Sequence, residues 1–442
     1  MKFGINDCGS VVEKRFLGYA LPSIVGMLIV SFQMMIDGIF VSKGVGALGL
    51  AAVNISMPLI NALLSVCIMI VSGGVVIAGI AKGSGDDALA RGFTTLTFVL
   101  LLGTCLFMSA VLMLNIKNIC YLLGSDDNTY PYVRTYLGIL VAFFFFYCIP
   151  NFTEAFTRFV DKPNWVFVSG VICCVVNVVL DYFFVIRWQW GMSGAAYATV
   201  IANTSAAVVL APNLKMGRIR GGLRDIWRVF YNGSSEMLTA VSSAVTMCAF
   251  NIVLMNDIGA KGVAAFTIVY YMNMIVNMSI FGLSQALYPL MSYGLGAGNY
   301  DMIRRLLGVS MKTSAVIGVS VFIVIQLFKR PIIRVFSNDD TVLFSLAVTA
   351  ATYVTLHYLV SFVNILGSSF HTAVEKPLES VAIALCRSLI FVLIPLFVLP
   401  RYIGDMGIWI AMPVAEVATL FVTVPLMIKS MRRLHRNLAT VL

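Results

Sequence analysis

Apolar residues run along this chain in twelve long stretches separated by short polar segments. The stretches cover residues 16–41, 50–81, 93–114, 132–157, 164–186, 191–212, 229–256, 263–293, 306–328, 342–372, 378–400 and 406–428. A helix needs about 20 apolar residues to cross a bilayer. The pattern therefore predicts an all-α membrane protein with twelve transmembrane helices. Several runs exceed a simple crossing, and tilt or extension beyond the bilayer absorbs the excess. Two amphipathic pieces, Lys117–Gly124 and Lys329–Asn338, fall between spans and are expected to lie in the interface.

The chain repeats itself. Gly46-Ala47, Gly49 and Ala51-Ala52 recur as Gly259-Ala260, Gly262 and Ala264-Ala265, an offset of 213. The same offset carries Gly83 and Gly85 to Gly296 and Gly298, Arg91 to Arg304, and Asp126-Asp127 to Asp339-Asp340. It also carries Gly191 and Gly194 to Gly404 and Gly407, while Lys162-Pro163 recurs as Lys376-Pro377 at 214. Each half holds six spans, an even number, so the two halves run the same way through the membrane. They are expected to form parallel repeats about a pseudo-two-fold axis along the membrane normal, a transporter design with substrate between halves that rock. The expected domains are an N-terminal lobe, 1–212, a basic cytoplasmic linker, 213–228, and a C-terminal lobe with a cytoplasmic tail, 229–442.

Composition agrees with a lipid solvent. Of 442 residues, 60% are hydrophobic and 11% charged, against roughly 45–50% and about 25% in soluble domains. The net charge of +10 does not signal nucleic acid, because the basic residues lie in short loops between apolar runs. With the N-terminus inside, 20 of the 30 Lys and Arg fall on inner segments, from Lys2 through Arg158 to Arg436, and nine on outer ones. That excess puts both termini in the cytoplasm. The long first apolar run reads as a span and not as a cleaved signal. Nine Cys show no metal-ligand spacing and read as small hydrophobes within helices; Cys173 and Cys174 are adjacent and point different ways.

Ionisable residues inside spans are few, and each is a candidate site because a carboxylate at the bilayer centre costs at least ~2.5 kcal/mol. They are Asp37, Asp181, Glu236, Arg387 and Glu416. Asp37 and Asp181 lie in the outer halves of spans 1 and 5, which run in the same direction. Gln33 precedes Asp37 by four residues and Asn177 precedes Asp181 by four, so each pair shares a helical face. Thr199, a third of the way along span 6, is expected near the same level. Such oxygens suit a hard cation, and two carboxylates can instead share a proton. The cluster therefore reads as a Na⁺ or H⁺ site; the other reading is that each acid caps a span end at the headgroups. Glu236 stands either inside the bilayer or at a helix N-terminus after the basic linker. Arg387 either pairs with Glu416, snorkels or meets a substrate anion. His357 and His371 read as ordinary polar contacts.

No Walker sequence is present, so energy is expected from an ion gradient and no cofactor is implied. Phe143–Phe146 and the 23 Met supply a greasy, adaptable lining. With one or two acids, such a lining suits lipophilic cationic small molecules through apolar contact and cation–π attraction. An enzyme is not expected, since the three His are scattered and no acid–His motif appears.

The residues also resemble a known family. Gln33 with Asp37-Gly-Ile-Phe-Val-Ser, followed by Gly46-Ala-Leu-Gly-Leu-Ala-Ala, resembles span 1 and the outer loop of the multidrug and toxic compound extrusion (MATE) exporters. Tyr288-Pro-Leu-Met-Ser-Tyr-Gly-Leu-Gly-Ala-Gly-Asn299 is similar to their loop after span 8. Phe156–Pro163 and Phe370–Pro377 resemble their loops after spans 4 and 10. The resemblance covers nearly the whole chain. It points to the prokaryotic branch whose acidic site lies in the N-terminal lobe, where Asp37, Asn177, Asp181 and Thr199 match an Asp of span 1, an Asn-x-x-x-Asp of span 5 and a Thr of span 6. It implies drug efflux by Na⁺ or H⁺ antiport across a bacterial or archaeal cytoplasmic membrane, by a monomer among lipids. Another branch keeps acids in spans 7 and 8; here Phe250 stands opposite Asp37 in the repeat, which argues against a second ion site. Alternative readings are a lipid-linked glycan flippase of the same superfamily, against which the best buried charges are acidic, and a major-facilitator transporter. Against the latter, the segment Lys82-Gly-Ser-Gly-Asp-Asp-Ala-Leu-Ala-Arg91 lacks that family's Arg-rich loop.

Overall fold

A computed structural model describes residues 9–337 and 340–439; Lys2, Asn338 and Asp339 lie outside them. Every regular element among the described residues is helical. In chain order they are α1 (Gly9–Gly44), α2 (Ala47–Gly83), α3 (Asp87–Leu114), α4 (Ile116–Leu122), α5 (Tyr130–Ala142), α6 (Phe144–Phe159), α7 (Pro163–Asp181) and α8 (Gly191–Leu210). Then come α9 (Leu223–Asp257), α10 (Ala260–Gly296), α11 (Tyr300–Ser337), α12 (Thr341–Val354), α13 (Ser361–Ala373), α14 (Pro377–Leu385), α15 (Phe391–Val398), α16 (Pro400–Ile403) and α17 (Met406–Ala439). Among the described residues eleven helical segments are long and apolar enough to cross a membrane, and α5 with α6, bent by 51°, makes a twelfth span if the pair is one crossing. A helix closes its own backbone hydrogen bonds, which lipid cannot do for it.

The ends of the helices explain where they stop. Pro163 and Pro377 open α7 and α14, where the missing N–H is not needed and the fixed φ suits the first turn. Asp340 caps α12 by accepting from Val342 N and Leu343 N and binds Lys261 Nζ at 2.7 Å, tying the starts of α10 and α12 together. Lys261 and those two amides hold the Asp340 carboxyl below the ordinary carboxylate range.

Two expectations change. The tenth apolar run, like the fourth, is broken: α12 passes through a 3₁₀ turn, Thr355–Leu359, into α13. Pro150 lies in α6 but the α12–α13 stretch has no proline, so the break belongs to the repeat and not to proline chemistry. The piece Lys329–Asn338 is not a separate interfacial segment, because through Ser337 it continues α11. Pro331 removes one hydrogen bond there without ending the helix, and Lys329 Nζ binds Gln326 Oε1 and Thr352 Oγ1, both at 2.7 Å. The other piece is a helix of its own, α4.

The chain divides into two compact units, Gly18–Gly233 and the chain from Ser234 onward with the start of α1. The repeat extends to the backbone. Positive φ occurs at Gly46 and Gly259 (91° and 88°), at Gly85 and Gly298 (90° and 64°), and at Gly191 and Gly404 (59° and 62°). It recurs at Asp161 and Glu375 (71° and 58°), just before the two Lys-Pro pairs. These are conformations that side chains resist. Their recurrence means that the turns, and not only the letters, are duplicated.

Within the first unit α2 meets the start of α9 backbone to backbone. A Cβ on Gly73 would lie 1.9 Å from the Val229 carbonyl oxygen, and one on Gly233 1.8 Å from that of Met69. Gly73→Ala is therefore expected to destabilise the protein by about 1–3 kcal/mol through overpacking. Gly103→Ala, which meets nothing within 4 Å, should be neutral or better. Thermal unfolding of the two variants in detergent checks this, and equal melting temperatures would refute the contact.

Candidate functional site

α1 and α7 lie side by side in the first unit. Near one end the Tyr19 hydroxyl donates to Asp161 Oδ1, in the turn before α7. Near the other, Gly44 abuts the π-helical turn that follows α7 (Tyr182–Arg187): a Cβ there would lie 2.4 Å from Val185 Cγ1. Between these points the two helices present matching polar ladders at four-residue spacing. Gln33 of α1 faces Cys173 of α7. Asp37 lies beside Asn177 and Asp181. The pairing follows from helical geometry, since residues four apart stack on one face about 6 Å apart.

Asn177 and Asp181 are buried, at 0% and 1% exposure, and Gln33 at 7%; Asp37 is half-buried. Asp37 Oδ1, both Asp181 carboxylate oxygens and both Asn177 amide atoms are buried without a hydrogen-bond partner among the described residues. Buried polar groups in folded proteins are nearly always bonded, and each unmet one costs on the order of 1–3 kcal/mol. Four oxygens and an amide nitrogen are thus gathered in one place without an internal partner. Their chemistry suits a hard monovalent cation or a proton shared between the acids.

Thr199 is placed on α8, which packs along α7, and is buried at 9% exposure. Its hydroxyl donates to the Ala195 carbonyl at 3.0 Å and not to either acid, so only its lone pairs are available to a cation. Cys173 packs with Ala202 and Ala206 of α8, which by helical rise sets Thr199 near the level of Asn177.

Two tyrosines missed in the sequence are within electrostatic reach of the acids: Tyr136 of α5, near both Asp37 and Asp181, and Tyr147 of α6, near Asp37. Nothing in the linear pattern separates them from the other aromatics. A second omission was legible. Glu154 and Arg158, four apart on α6, pair at 3.0 Å. Arg158, counted above with the inner loops, is 2% exposed, so it is an internal charge and not a topology marker.

The MatE family profile matches residues 22–183 and 237–398, one segment in each half. The chain belongs to the MatE family. It is a MATE-type efflux transporter and not an enzyme. It is 24% identical to the FAD transporter of Shewanella oneidensis over 92% of each chain. It is 21% identical to the multidrug export protein MepA of Staphylococcus saprophyticus over 92% of this chain and 91% of that one. Its fold matches the crystal structure of MATE in complex with MaL6 with a TM-score of 0.91 at 19% identity, over 96% and 97% of the chains.

The second repeat of this MatE chain is built differently. Phe250, opposite Asp37, stacks on Phe266 with ring centroids 4.8 Å apart, and Met412, opposite Thr199, packs against the same apolar core. Its in-span ionisable candidates are partnered among the described residues. The Tyr288 hydroxyl donates to Glu236 Oε1. Arg387 Nε lies 2.8 Å from Glu416 Oε1, Asn364 Nδ2 donates to Glu416 Oε2 at 2.7 Å, and the Thr423 hydroxyl donates to Asn364 Oδ1 at 2.7 Å. Arg387, a candidate for a substrate anion, is thus committed to Glu416. His357 and His371 bond the carbonyls of Val354 and Gly367 at 2.6 and 2.7 Å, as ordinary polar contacts do.

Glu416→Ala strands Arg387 inside the bundle and should cost about 3–5 kcal/mol, whereas Arg387→Met with Glu416→Leu should recover most of it. A double-mutant cycle on detergent melting curves measures the difference. Additive losses would show that the pair is not coupled.

Proposed function

We propose that the chain exports lipophilic organic cations in exchange for Na⁺ or H⁺, and that Asp37, Asn177, Asp181 and Thr199 hold the coupling ion with Gln33 beside them. The observation that carries this reading is the set of unpartnered oxygens on Asp37, Asn177 and Asp181. For Na⁺, these residues supply hard oxygen ligands; for H⁺, one acid takes the proton and the other stays charged. The reading places the chain in the prokaryotic branch with its acidic site in the N-terminal lobe. MepA, a multidrug exporter by name, supports the substrate class.

Coupling by alternating access then has a simple physical basis. Binding of the ion changes the charge that the first lobe must keep away from water. That change biases the equilibrium between inward- and outward-open states only by the difference in ion affinity between them. Glu236, bonded to Tyr288, is a secondary candidate and Arg387, bonded to Glu416, a weaker one. The inside excess of Lys and Arg supports both termini being cytoplasmic, and the prokaryotic branch of this reading implies a bacterial or archaeal cytoplasmic membrane. The lobes 1–212 and 229–442 are joined by the basic 213–228 linker, and a single chain carries both, as a monomer requires.

A second reading, export of an anionic flavin nucleotide, is favoured by the similarity to the FAD transporter. Purified protein in vesicles with an imposed Na⁺ or H⁺ gradient tests both, with a fluorescent lipophilic cation and FAD as cargoes. The cation is expected to move and FAD not. Asp37→Asn and Asp181→Asn should each abolish gradient-driven movement while the protein stays folded, since an amide relieves desolvation but cannot switch charge. Asn177→Ala and Thr199→Ala should weaken coupling less, each removing one neutral ligand. Wild-type rates in both Asp→Asn variants would remove the site from the mechanism.

A further inference from the structure

Three cysteines far apart in sequence converge in the first unit, on helices α2, α3 and α6, none of which carries the acidic ladder. Cys67 of α2, Cys105 of α3 and Cys148 of α6 are each 0% exposed. The Cys67 and Cys105 sulfurs are 3.7 Å apart, and those of Cys105 and Cys148 3.3 Å. All three lie within 4.8 Å of one another. Two of the three sulfur pairs are at van der Waals contact and the third is within 4.8 Å, so a small closure would let one atom bond all three.

Charge decides what that atom is. Three thiolates around Cu⁺ leave two net negative charges, and around Zn²⁺ one. Burying an uncompensated charge in a dry interior costs several kcal/mol. The nearest basic residue on the helices that carry the cysteines, by sequence, is Arg158, ten residues or about 15 Å along α6 from Cys148, and it is already paired with Glu154. A trivalent centre with three sulfurs carries no charge. It is also trigonal-pyramidal, so it closes the triangle without needing a fourth ligand or a water.

We propose that Cys67, Cys105 and Cys148 form a binding site for trivalent thiophiles of the arsenous acid class. In the reaction As(OH)₃ combines with three Cys–SH: three S–H and three As–OH bonds break, three As–S bonds form, and three waters leave. Nothing is oxidised or reduced. Arsenous acid is neutral and small, and needs no charged path to a site within the bilayer. The product joins α2, α3 and α6 covalently and so removes relative motion among three helices of the first unit.

The probe is arsenite added to the full-length protein in detergent, followed by desalting and measurement of retained arsenic. One arsenic per chain is expected, with three As–S contacts in its X-ray absorption spectrum and a raised melting temperature. Cys105→Ala, which removes the sulfur that touches both others, should reduce retention roughly 10-fold or more, because each added thiol acts intramolecularly on a tethered centre. Cys67→Ala and Cys148→Ala should each leave at most two sulfurs. Cys174→Ala, outside the cluster, should change nothing, and the melting temperature of each apo variant shows that it is folded. Full retention in the Cys67, Cys105 and Cys148 triple alanine variant, two As–S contacts in the wild type, or tighter binding of Zn²⁺ or Cu⁺ than of arsenite would each overturn the assignment.

Discussion

A lipid interior offers no hydrogen bonds, and the rest of this structure follows from that constraint. The backbone meets it by making every regular element among the described residues a helix. Side chains meet it in a few repeated ways. Buried Ser and Thr hydroxyls return to their own helix, as Thr94, Thr153 and Thr419 do four residues back. Arg387, Glu416, Asn364 and Thr423 form a continuous chain of bonds. Against this rule the Asp37–Asn177–Asp181 cluster stands out, since it gathers five buried atoms without a partner from three neighbouring side chains, two of them carboxylates.

The two repeats share a plan and divide the chemistry. Their turns match down to strained backbone at Asp161 and Glu375, yet Asp37 is answered by Phe250 and Thr199 by Met412. In the second unit those positions carry apolar packing around Phe250, Phe266 and Met412. A duplicated scaffold tolerates this because helix pairing depends on shape and small residues, while a coupling site depends on a few polar atoms. One half can therefore carry the acidic cluster and the other apolar packing without a change of fold.

Close backbone approach is the other recurring device. Gly44 against the turn after α7 brings α1 near enough for Asp37 to meet Asp181, and Gly73 with Gly233 lets α2 and α9 touch. Where lipid supplies no hydrophobic drive between helices, such contacts and the dispersion they permit hold helices together. The site thus depends on glycines as much as on its acids.

The number of spans, the parallel repeat and the identity of the acidic residues were legible in the sequence alone. Apolar run length is a direct response to bilayer thickness, and a rare carboxylate in such a run is conspicuous because its burial is costly. The facing of Asn177 with Asp181 was also legible, since it is set by helical period within one segment. The breaks at Phe143 and at Thr355–Leu359 were not, because neither carries a breaker residue. Nor were the places of Tyr136 and Tyr147. The meeting of Cys67, Cys105 and Cys148 was hidden for the same reason. Each of these depends on which faces of different helices pack together, and hydropathy, which reports distance from water, carries no record of which neighbour supplies the burial.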